Sequence, residues 1–229
     1  MSPISLLRHR SKSLSLSSSA NEGARGPSPS NPVGLLHDQL VFKRRVQVLA
    51  QALAQTIPPD ARSVLDVGCG DGSIAAMVAR SRPGLSLTGV DVLVRPHTHV
   101  PVRVFDGVTL PYADQSFDVV TFVDVLHHTD DPETLLREAK RVARRAVILK
   151  DHTRESPISQ ATLRFMDWVG NAHHGVALPY NYWSKRQWRD AFRRLGLAEE
   201  TWVTALGLYP FPASVIFEHN LHFLARLGV

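Results

Sequence analysis

Apolar positions along the chain change period at a proline pair. Phe42, Val46, Leu49, Leu53 and Ile57 recur at helical spacing, and Pro58-Pro59 closes the segment, which predicts an amphipathic helix leading into a domain. Beyond it, short apolar runs at Ser63 to Val67, Leu85 to Val90, Val100 to Phe105, Phe117 to Val123 and Ala146 to Leu149 alternate with helical stretches such as Ile74 to Arg80 and Pro132 to Val142. Strand and helix in alternation predict a parallel α/β sheet. The helix after Asp131 is the best marked, with Asp as N-cap, Pro132 at the first helical position, and Leu135, Ala139 and Val142 on one face.

The first 34 residues break this order. They are rich in Ser, carry Gly and Pro at "GARGPSPSNP", and lack the apolar content that offsets the entropy of ordering, so we expect residues 1–34 to be a disordered tail and 35–229 to form one domain. Arg and Ser with almost no acid also match an organellar transit peptide, although a dispensable extension is the simpler reading. Composition, at 44% hydrophobic and 21% charged, suits a single packed core.

Charge changes the picture mainly by its location. Arg8, Arg10, Lys12 and Arg25 against the acid Glu22 leave the tail at +3 of the overall +5, so the folded part is nearly balanced. That argues against a nucleic-acid footprint, which needs basic residues gathered on one folded face. The single cysteine, Cys69, cannot form an internal disulfide, and no spaced Cys or His set resembles a metal site. No apolar run reaches the length of a membrane span, and Leu6-Leu7 and Leu14 to Leu16 are too broken by Ser and Arg for a secretory segment. We therefore expect a cytoplasmic protein.

The chemistry gathers at "VLDVGCGDGS", residues 64–73, directly after the first predicted strand. In an open α/β sheet the first strand's loop is the usual ligand cradle. A dinucleotide fingerprint would place its third glycine one residue later than Gly72, and a phosphate-binding loop would need Gly-Lys followed by Ser or Thr. The glycines Gly68, Gly70 and Gly72 thus suit a ligand without a pyrophosphate, which Asp66, two residues ahead, would repel. Asp91 ends the second strand about 20 residues past the loop, where a carboxylate can accept both ribose hydroxyls. Asp106 follows the third strand, placed to accept from an exocyclic amine. Three acids and three glycines around one cleft describe an adenosine-bearing cation.

With "VLDVGCGDG", "LTGVDVL", "DGVTLPYADQSFDVV" and "VLHHTDDPETLLREAKRV" in that order over roughly residues 60–150, the chain resembles the class I S-adenosylmethionine-dependent methyltransferases, most closely the small ones often called type 11. The resemblance implies S-adenosyl-L-methionine as cofactor. It places Asp66, Gly68, Gly70 and Gly72 by the methionine part, Asp91 on the ribose, and Asp106 with Gly107 around the adenine. It also implies a Rossmann-like, doubly wound seven-stranded sheet with an antiparallel last strand. A helix over Ser184 to Leu195, ended by Gly196, and strands over Leu197 to Leu206 and Ser214 to Leu224 would complete it.

The acceptor is harder to read. His127 and His128 stand at the mouth of the fourth strand, where an imidazole could take a proton, but the pair is widespread in the family among different acceptors, which favours a shaping role. Residues 152–183 are the candidate substrate cap, with Leu163, Met166 and Val169 as its buried side and Phe165, Trp168, Tyr180, Tyr182 and Trp183 as large aromatic surfaces. His173-His174 reads as a solvated turn. Such a lining favours a small, partly apolar or aromatic acceptor. The alternatives are a methyltransferase of tRNA or protein, and a binding module that keeps the cofactor cleft without catalysis. A nicotinamide dehydrogenase is disfavoured by the glycine spacing.

Overall fold

The computed structural model of the chain describes residues 32–171, 181–218 and 220–229. Its sheet is built from β1 (Ser63–Val67), β2 (Ser86–Asp91), β3 (Val102–Val104), β4 (Phe117–Val123), β5 (Ala143–His152), β6 (Ala198–Val203) and β7 (His222–Gly228). The helices are α1 (Pro32–Thr56), α2 (Ser73–Ser81), α3 (Pro132–Val142), α4 (Pro157–Asn171), α5 (Lys185–Leu195) and α6 (Ala213–Phe217), with a 3₁₀ turn at Leu126–His128. Strand order is β3-β2-β1-β4-β5-β7-β6. β7 runs antiparallel to both β5 and β6, and the remaining pairings are parallel.

The central strands read as largely apolar runs because both faces are covered. On β1, Leu65 and Val67 enter a core with Phe122, Leu136, Val147, Trp188 and Phe223, while Val64 enters a second core with Leu53, Ala75, Val119 and Ile148. The first core lies under α3 and α5, the second under α1 and α2. Burying one such aliphatic side chain stabilises the fold by roughly 1.5–3 kcal/mol. Each sheet face therefore depends on a few helices whose own ends are well specified. Asp131 accepts from the Glu133 and Thr134 amides at the start of α3. Ser184 and Gln187 cap α5 reciprocally, and Gly196 ends it at φ 64°.

Two closing strands differ from the expectation. β6 is shorter than Leu197 to Leu206, and the segment expected as a strand over Ser214 to Leu224 instead begins with helix α6. Val215, Ile216 and Phe217 are apolar on consecutive positions, which dilutes a period of two, and Asn220 turns the chain at φ 55° before β7 starts. β7 then buries Phe223, Ala225 and Leu227 on one face and Leu224 on the other. The expected tail, residues 1–34, lies almost wholly outside the described residues, as do Trp168 and Val169 as side chains, His173, His174 and Tyr180. Among the described residues no helix is long and apolar enough to cross a membrane.

Candidate active site

Strand order reverses between β1 and β4, so the loops leaving their carboxyl ends diverge and open a cleft. The glycine loop forms one wall. Gly68, Gly70 and Gly72 all have positive φ, at 69°, 59° and 75°. A Cβ on Gly68 would meet Val125 Cγ2 at 2.6 Å and one on Gly72 would meet Val100 Cγ2 at 2.6 Å, whereas at Gly70 nothing lies within 4 Å. Gly68 and Gly72 are thus packing glycines, and Gly70 faces open space. Its amide donates to Asp91 Oδ2 at 2.8 Å, and the Leu93 amide donates to Asp91 Oδ1 at 3.0 Å.

Asp91 ends β2 and Asp106 and Gly107 follow β3, with Gly107 facing Val92, while Asp66 on β1 is buried. Asp106 is exposed, and Oδ1 accepts from the Thr109 and Val108 amides, which hold its carboxyl below the usual range. Gly107, at φ 82°, faces Val92. Val92, Leu93 and Val108 leave 61%, 56% and 53% of their surface open, an apolar wall between the two acids that suits a flat heteroaromatic ring. Open space at Gly70, a carboxylate at Asp91 and this wall fit the adenosine half of S-adenosylmethionine. Asp66 lies behind the loop, buried, accepting from Thr121 Oγ1 at 2.7 Å. Burial pushes its carboxyl up to about 6, opposed by the Thr121 hydrogen bond and assisted by the charge of Asp91. Cys69 packs behind Gly89, and burial, then Asp66 and Asp91, push its thiol up to about 12, so it is no nucleophile.

Beside the cofactor cleft, at the ends of β4 and β5, lies a buried polar cluster that the sequence reading missed. Lys150, fully buried, pairs with Asp124 Oδ1, and Arg45 from α1 pairs with Asp124 Oδ2 at 2.5 Å. Burial pushes the Asp124 carboxyl up, but Lys150 and Arg45 more than offset this and hold it well below the carboxylate range. His222 Nε2 donates to the Phe217 carbonyl at 2.9 Å, leaving Nδ1 to accept from Lys150 at 3.2 Å. His152 Nε2 lies 3.3 Å from Asp124 Oδ1. Burial first, and Lys150 second, hold both imidazoles well below their usual value, so they are neutral. The signal was "KDH", Lys150 to His152, three polar residues ending an apolar strand.

His127 and His128 join this cluster. His127 Nδ1 sits 2.6 Å from Asp151 Oδ1, and its ring stacks on Tyr182 at 5.6 Å between centroids. The Asn181 amide donates to the His127 carbonyl at 3.1 Å, tying the end of the cap region to the 3₁₀ turn. Leu163, Tyr182 and Leu221 pack together, with Met166 against them, so Leu163 and Met166 lie on a buried side as expected; Tyr182, expected as an aromatic surface, is buried with them, while Phe165 is 54% exposed. His127, Asp151 and His152 each offer a ligand atom within 4.8 Å of the others. Asp151 already accepts three N–H groups, and Lys150 and Arg45 stand nearby, which disfavours a dication.

Comparison with known proteins agrees with this geometry. A methyltransferase-domain family model matches residues 39–201. The ubiquinone/menaquinone biosynthesis C-methyltransferase UbiE of Desulfotalea psychrophila is 35% identical over 99 residues, 39% of this chain and 40% of its own. Ajmaline N-methyltransferase of Rauvolfia serpentina is 26% identical over 193 residues, 75% of this chain and 60% of its own. The chain spans 37 to 60% of the length of such curated relatives. A crystal structure of a SAM-dependent methyltransferase from Aquifex aeolicus shares the fold with a TM-score of 0.57 at 15% identity, covering 87% of this chain and 98% of that one. Since the family match runs from within α1 into β6 and takes in the glycine loop, Asp91, Asp106 and the 3₁₀ turn, the chain belongs to the class I S-adenosylmethionine-dependent methyltransferases.

Proposed function

We propose that this protein transfers the methyl group of S-adenosylmethionine to a small, partly apolar or aromatic acceptor in the cytoplasm. The observation that carries the reading is the open face of Gly70 beside Asp91 and the apolar wall of Val92 and Val108. When bound, the cofactor supplies an electrophilic methyl carbon on a sulfonium. The Gly70 backbone and Asp91 orient the adenosine, Asp106 and Gly107 border the adenine, and the buried carboxylate of Asp66 lends negative charge behind the loop. Much of the acceleration comes from alignment and exclusion of water, for which Leu163, Tyr182 and Leu221 supply an apolar cover. His127 and His128, on the 3₁₀ turn after β4, help to shape that end of the cleft, with His127 buried. Relatives named for quinone and alkaloid methylation support a small-molecule acceptor over tRNA or protein, as does the near-balanced charge of the folded part.

S-adenosylmethionine at about 100 times its dissociation constant should stabilise the fold by roughly 2.7 kcal/mol. For a domain of this size the melting temperature should rise by about 5 to 10 °C. NADH should do nothing comparable, and the opposite pattern refutes the reading. Labelled methyl donor incubated with a metabolite extract then identifies the acceptor by mass spectrometry.

A further inference from the structure

Residues 207–218, between β6 and β7, hold apolar side chains out in water. Phe211, Val215 and Ile216 are 83%, 61% and 61% exposed, and no residue of α6 is buried. The loop that carries them is nevertheless anchored at both feet. Leu208 is buried, the Glu218 carboxylate accepts from the Leu208 and Tyr209 amides at 3.0 and 3.3 Å, and His222 Nε2 donates to the Phe217 carbonyl at 2.9 Å. An apolar cluster presented in this way marks a contact surface. Since His152 pairs with His222 in the β5–β7 ladder, the loop leaves the sheet at the carboxyl ends of its parallel strands, the same edge as the glycine loop. Helix α4 follows β5 from that edge and shows Ile158 79% exposed. Thr153, ahead of α4, is tied to the exit of α6: its amide and hydroxyl donate to the Leu221 and Asn220 carbonyls at 3.0 and 2.6 Å.

We propose that residues 207–218, with Lys43 and Arg44 of α1, form a docking surface for an anionic membrane. Charge selects this partner. Glu218 is the only charged side chain of residues 207–218, and it is turned onto backbone amides. Arg44, exposed, donates to the Gly207 carbonyl at 3.4 Å at the foot of the loop, and Lys43 beside it in α1 is exposed too. An apolar tip with cations at its foot is complementary to a bilayer surface: Phe211, Val215 and Ile216 enter the boundary of headgroups and acyl chains, while Lys43 and Arg44 stay among anionic headgroups. A second copy meeting this surface tip to tip would set the cations against their own counterparts. Docking here is independent of the cofactor reading, although the cleft opens on the same edge of the sheet.

Cosedimentation of the full chain with vesicles of phosphatidylcholine alone, or of phosphatidylcholine with phosphatidylserine, tests this. The protein should pellet with the anionic vesicles, and less of it as salt rises. Phe211→Ser with Ile216→Ser, and separately Lys43→Gln with Arg44→Gln, should each weaken that binding by about tenfold or more. The melting temperature should stay that of wild type, because the altered side chains are exposed. The basic residues of the first 34 positions are unchanged in both variants, so adsorption through them would survive the substitutions. Full binding by the Phe211→Ser, Ile216→Ser protein therefore overturns the proposal. Insertion is read separately with Val215→Cys carrying an environment-sensitive fluorophore, which labels selectively because burial pushes the Cys69 thiol up. Its emission should shift to the blue with anionic vesicles, and unshifted emission overturns the proposal. So does a dimer in vesicle-free solution that Phe211→Ser with Ile216→Ser converts to monomer, which assigns the surface to a second copy.

Discussion

The amide of Gly70 donates to Asp91 Oδ2 at 2.8 Å, so the ligand loop of β1 is tied to the carboxyl end of β2 by the very side chain expected to hold the cofactor ribose. Asp91→Ala removes both roles. Cofactor affinity should fall by roughly 1.5–3 kcal/mol, the range for hydrogen bonds to a charged group. The fold should survive, because the side chain is partly exposed at a strand end. Calorimetry showing unchanged affinity in a folded variant would exclude Asp91 from the site.

Gly70 and Gly72 share a left-handed backbone but differ in surroundings. Gly70→Ala places a Cβ in open space, so the fold should lose only the left-handed strain of roughly 1–2 kcal/mol, while cofactor affinity should drop tenfold or more. Gly72→Ala drives a Cβ into Val100 and should lower the melting temperature further. Thermal unfolding paired with titration separates the two, and equal affinity in Gly70→Ala and wild type would show that no ligand approaches there.

Burial raises the Asp66 carboxyl to about 6, against 3.8 for an open chain. Between those values the folded state keeps a proton that the unfolded state has lost, so stability should fall as pH rises from about 4 to about 6 and level off above, by roughly 2–3 kcal/mol in all. Asp66→Asn still accepts from Thr121 and does not ionise. It should match wild type near pH 4 and exceed it at pH 7 and above. Urea unfolding at the two pH values decides this, and parallel pH profiles for both proteins would mean that Asp66 is ionised throughout.

Asp124 neutralises Lys150, whose side chain has no exposed surface. Asp124→Asn, which tolerates the native φ of 57°, leaves a buried cation and should destabilise the protein by about 3–5 kcal/mol. Adding Lys150→Met should recover a large part of that loss. Strict additivity of the two changes in urea unfolding would show that the pair does not interact.

Cys69 should resist alkylation. With its thiol pushed up to about 12, native protein at pH 8 should react with iodoacetamide far more slowly than protein in denaturant. Comparable rates would place the thiol in water.

Local patterns that each carry one physical cause were legible along the chain. Asp131 and Ser184 stand at helix starts because a short acceptor side chain meets free amides, and Gly196 ends α5 because φ there is positive. β1 was readable to the residue, since burial on both faces makes Val64, Leu65 and Val67 apolar. The glycine loop and Asp91 were readable too, because their spacing follows from the length of one strand–helix–strand unit. β7 was not: His222 and Arg226 interrupt its apolar positions, because they meet Lys150 and Glu200 across the sheet rather than a hydrophobic neighbour. Asp66 belongs to the same class. Its place in the glycine motif is a matter of sequence, but the direction of its side chain, toward Thr121 on β4, follows from strand register. The cluster of Asp124, His127, Lys150, Asp151 and His152 lay deepest, as its members come from two strand ends brought side by side by β4–β5 pairing. A carboxylate becomes a partner for one imidazole or one lysine only when distance and burial are set, and those are properties of the packed sheet rather than of neighbours along the chain.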